Sequence, residues 1–139
     1  MPERTPTEAG ALAAGLLVDA CRQQPDEPLR LEVVRDLALD LERRLEALTD
    51  TETDSLTEAA LACADLATLA ACNLQVFSDR SLATAAVHLA AGATRDLISL
   101  AESGAGALED AHAENTLRDA RSALWRADLA LRQIEDQPD

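Results

Sequence analysis

The chain contains no lysine and no tyrosine, and Phe77 and Trp125 are its only aromatic residues. All 12 basic side chains are therefore Arg, set against 26 Asp and Glu for a formal charge of −14. A surface this acidic repels DNA, RNA and anionic bilayers, so neither nucleic acid nor a membrane is expected as a partner. β-Branched residues are also scarce, and no stretch sustains the alternation of a strand, which excludes a sheet. Cysteine is scarce and odd in number. Cys21, Cys63 and Cys72 show no CxxC spacing, so they read as small buried hydrophobes in a reducing cytoplasm rather than as a disulfide frame. Long hydrophobic runs are missing too. The stretch from Ala9 to Val18 follows two glutamates and ends at Asp19, too short to span a bilayer and poorly flanked for a signal peptide.

What is abundant is Ala and Leu, which favour helix throughout. A length of 139 residues fits one domain, 1–139, with 1–4 and 136–139 expected as disordered tails. The fold class expected is all-α: an antiparallel, Ala/Leu-rich bundle of four to five helices joined by short loops. The segment from Ser78 to Gly104 organises it. Leu82, Ala86, Leu89, Ala93, Leu97 and Leu100 recur at threes and fours as one apolar stripe, and Ser78 or Asp79 can cap the start. Thr5-Pro6-Thr7-Glu8 opens a first helix running to about Gln24, with Thr5 as cap and Glu8 completing a capping box.

A second helix, from about Leu29 to Leu48, carries a seam of Leu31, Val34, Ala38, Leu41, Leu45 and Leu48. Leu29, Val33, Leu37 and Leu39 widen its apolar surface. The third, Leu56 to Cys72, is apolar nearly all round and so central, with Asp65 its lone interior charge and Ser55 with Glu58 as its capping box. A last helix begins at Leu108 or Asn115 and ends near Glu135, with Leu117, Ala120, Leu124, Ala127, Leu131 and Ile134 as its seam. Trp125 is read there as a bundle anchor, or as an interface residue if exposed.

The acidic connector from Thr49 to Asp54 has the alternation of a calcium loop. Ser55 stands where the sharp-turn Gly belongs and Leu61 where the bidentate Glu belongs, so no metal site is assigned. His88 and His112 have Gly92 and Thr116 four residues on, which rules out a helical metal pair. Ala-rich stripes bury little area per residue, so a homodimer is expected, packed through the bare surface around Ala83, Ala86, Ala90, Gly92 and Ala93.

Cys72-Asn73-Leu74-Gln75-Val76-Phe77-Ser78-Asp79, set between two Ala-rich helices, resembles the formiminotransferase-cyclodeaminase family, which includes methenyltetrahydrofolate cyclohydrolases. Asn73, Ser78 and Asp79 match that family's GN-x-x-x-x-SD connector, and Cys72 replaces its Gly. The likeness spans Leu56 to Glu102. It implies a dimeric helical scaffold, with Asn73 and Ser78 as ligand-binding residues and proton transfer at His88 with Asp79 or Asp50. The family's GGGS motif is missing, and Thr7-Glu8-Ala9-Gly10 stands in its place. The function expected is therefore a cyclodeaminase/cyclohydrolase-like bundle that acts by self-association or on a protein partner and is not an enzyme, without a cofactor. The alternative is a reduced cyclodeaminase or cyclohydrolase acting on a folate.

Overall fold

The computed structural model describes residues 5–23, 29–48, 53–77, 79–103 and 111–135. Among them are five α-helices and no strand: α1 Pro6–Arg22, α2 Leu29–Ala47, α3 Thr53–Cys72, α4 Ser81–Ser103 and α5 Ala111–Glu135. A single 3-10 turn, Leu74–Val76, joins α3 to α4. The expected tails, most of the acidic connector, Ser78 and the Gly104 turn lie outside the described residues.

The helix starts follow local chemistry. Thr5 caps α1, its Oγ1 accepting from the Glu8 amide at 3.2 Å, with Pro6 in the first turn. Asp79 caps α4, its Oδ1 accepting from the Ser81 amide at 2.9 Å. One expected start is corrected. α3 begins at Thr53, so Ser55 lies inside the helix and not at its cap. Thr53, Asp54 and Ser55 are adjacent residues of cap-forming type, so composition alone does not choose among them. α5 starts at Ala111, between the two expected positions.

Contacts fix the directions. Gly10 and Gly15 of α1 approach Leu45 and Glu42 of α2, and Arg30 of α2 reaches Asn73 at the end of α3, so these neighbours run antiparallel. Arg95 pairs with Asp128 at 3.0 Å and Glu102 pairs with Arg121, which sets α4 antiparallel to α5. α3 and α5 run parallel. Glu58 meets His112 at 3.5 Å, and the Thr68 hydroxyl lies 2.9 Å from the Ala123 carbonyl. α3 packs along α4 and α5, and α1 along α2 and α4, while α2 touches α3 only lightly. That central position accounts for the composition of α3, which by length and hydropathy alone would qualify as a membrane span.

The α2 seam is as expected: Leu31, Val34, Ala38 and Leu45 are buried and Leu41 and Leu48 half-buried. The α4 stripe is not. Leu100 is exposed, whereas Thr94 is fully buried. Small residues on both flanks let α4 meet α1 and α3 together, which broadens and rotates its buried arc. Thr94 is accommodated because its hydroxyl donates to the Ala90 carbonyl at 2.7 Å. Ala83, Ala86, Ala90 and Ala93, the surface expected between subunits, are buried inside this one. A Cβ on Gly92 would meet nothing within 4 Å. Two further expectations are corrected. Cys72 is exposed while Cys21 and Cys63 are buried, and Trp125 is 65% exposed on the outer side of α5. Both lie at a helix end or on an outer face that no described element covers.

Candidate functional site

The last four carbonyls of α3, as of any α-helix, have no helical amide to meet them unless the chain supplies a cap. Asn73 supplies one. Its Nδ2 donates to the Leu69 carbonyl at 2.7 Å, and its Oδ1 accepts from Arg30 Nε at 2.6 Å. Asn73 is buried, so both ends of its amide are engaged in tying α2 to the end of α3. We expect Asn73→Ala to cost about 1–3 kcal/mol, because it strands the Leu69 carbonyl and removes the tie to Arg30. Urea unfolding measures this, and a loss within a few tenths would mean that water replaces the amide.

Asp79 is exposed, and its carboxyl is held below the ordinary value by the Ser81 backbone amide, helped by the Ser81 hydroxyl. His88 is exposed two turns further along α4. The structure thus places Asn73 in a helix cap, Asp79 in the next cap and His88 on an open helix face. Ser78 and Asp50 lie outside the described residues. Four cavities formed by described residues are lined by other side chains.

Two of those cavities share Arg44 and follow one another along the seam between α2 and α3. One, of about 390 Å³, is lined by Leu48, Leu61 and Glu58; the other, of about 270 Å³, by Leu37, Leu41, Leu69 and Asp65. They exist because α2 leans on α1 and leaves α3 partly uncovered. Along α2, Leu29 is 75%, Val33 51% and Leu37 47% exposed. These residues are four apart and so share one face of α2. The spacing of Leu29, Val33, Leu37 and Leu41 was readable in the sequence. That the face is left open was not.

Asp65 sits in this groove. The residue is exposed, yet the apolar side chains beside it desolvate its carboxyl enough to raise the pKa above the ordinary 3.8, against the pull of Arg126 and Arg44 and with a smaller push from Asp119. Neither Arg forms an ion pair with it among the described residues. A raised folded-state pKa means that the neutral form suits the fold. The contribution is fully present below 3.8 and is lost as pH rises through the folded value. Asp65→Asn should therefore leave the isolated subunit as stable as the parent at pH 7, or more so by under about 1 kcal/mol after solvent screening. The gap should close on acidification. Paired urea titrations at dilute protein and two pH values read this; a destabilised variant at pH 7 would mean that the charge is favourably paired.

Comparison of the chain with family models, with curated proteins and with solved structures finds no match. The reading of the site rests on its own geometry.

Proposed function

We propose that this protein is a non-catalytic helical module that acts by association, first with a second copy of itself, in a reducing cytoplasm. The observation that carries the reading is a contrast between two places. Of the residues that the cyclodeaminase likeness would make functional, Asn73 and Asp79 are spent on helix caps and His88 stands on an open face. Three of the seven large exposed apolar side chains among the described residues, Leu29, Val33 and Leu37, instead share one face of α2, and Leu37 lines a groove there. Monomers rarely leave such a surface uncovered. The charge distribution supports self-association there. α2 carries Arg30, Arg35, Arg43 and Arg44 among five carboxylates and is close to neutral, so the acidity of the chain resides elsewhere.

The alternative, turnover of a folate, is tested by incubating the protein with methenyltetrahydrofolate and following loss of the substrate chromophore. No protein-dependent rate is expected. A rate abolished by Asp79→Ala or His88→Ala would overturn the proposal and restore the enzymatic reading.

A further inference from the structure

We draw no further inference here: the strongest candidate, the outer face of α5 on which Trp125 and Leu129 stand exposed four residues apart, is an apolar patch that carries nothing because nothing in the structure shows what covers it.

Discussion

Replacing Leu66 with Ala should lower stability by about 2–5 kcal/mol, the largest loss expected from any single truncation in the chain. Leu66 is fully buried on α3, the helix that packs along both α4 and α5. Most of the core around these helices is Ala, including Ala59, Ala60, Ala67, Ala70, Ala83 and Ala86. Alanine contributes little apolar area, so the few buried leucines carry a large share of the burial that offsets chain entropy. It also leaves little freedom to repair a hole. Ala methyl groups cannot rotate into a cavity, and backbones already touching through them cannot move closer. Leu129→Ala, at a position 41% exposed, should by contrast cost less than about 1 kcal/mol. Guanidinium unfolding of the two variants compares them directly. Equal small losses would show that the core tolerates collapse and that the few leucines do not dominate it.

Gly10→Ala should destabilise by about 1–3 kcal/mol through overpacking, although Ala is the better helix former by about 1 kcal/mol. A methyl at Gly10 would run into the Cys63 sulfur and come within 3.2 Å of Leu45 Cδ1. Cys63 and Leu45 are both fully buried, so neither can swing aside into solvent. The position is where α1, α2 and α3 meet, and the bare Cα lets them do so. Removing the obstacle should restore most of the loss: Gly10→Ala with Cys63→Ala should be more stable than the sum of the separate changes. Gly92→Ala is the internal control. Its methyl meets nothing within 4 Å, so the gain in helix propensity should appear as about 0.5–1 kcal/mol of added stability. Thermal or urea midpoints of these four proteins decide the matter, and a stabilised Gly10→Ala would show that the three-helix junction is looser than described.

The two glycines show how far local reading extends. Gly10 stands four residues before Ala14 in a helix that later packs tightly, so a close approach was legible. Gly92 sits in an equally small-residue context and looked the same, yet it faces open space. Which of two similar glycines is crowded depends on neighbours distant in sequence. The α2 seam was legible because threes and fours of Val and Leu have only one burial solution on a helix. The α4 stripe was less so, since Ala fits either a buried or a half-buried position and propensity does not separate them. The residues matched to the cyclodeaminase connector were legible as helix punctuation. Asn73 closes α3 and Asp79 opens α4, whatever else the likeness implies. The groove was not legible at all. It arises because α2 packs on α1 and only grazes α3, and that balance is set by contacts among Gly10, Gly15, Leu45 and Glu42 that no single helix encodes.

Self-association is the centre of this account, and the thermal midpoint of the unmodified chain tests it most directly as protein concentration is raised from the low micromolar range. A dimer that forms only from folded subunits stabilises the fold by mass action. The midpoint should therefore climb steadily with concentration, and Leu37→Glu should flatten the dependence. A midpoint that stays constant across the range, together with a single monomeric species in light scattering, would contradict it.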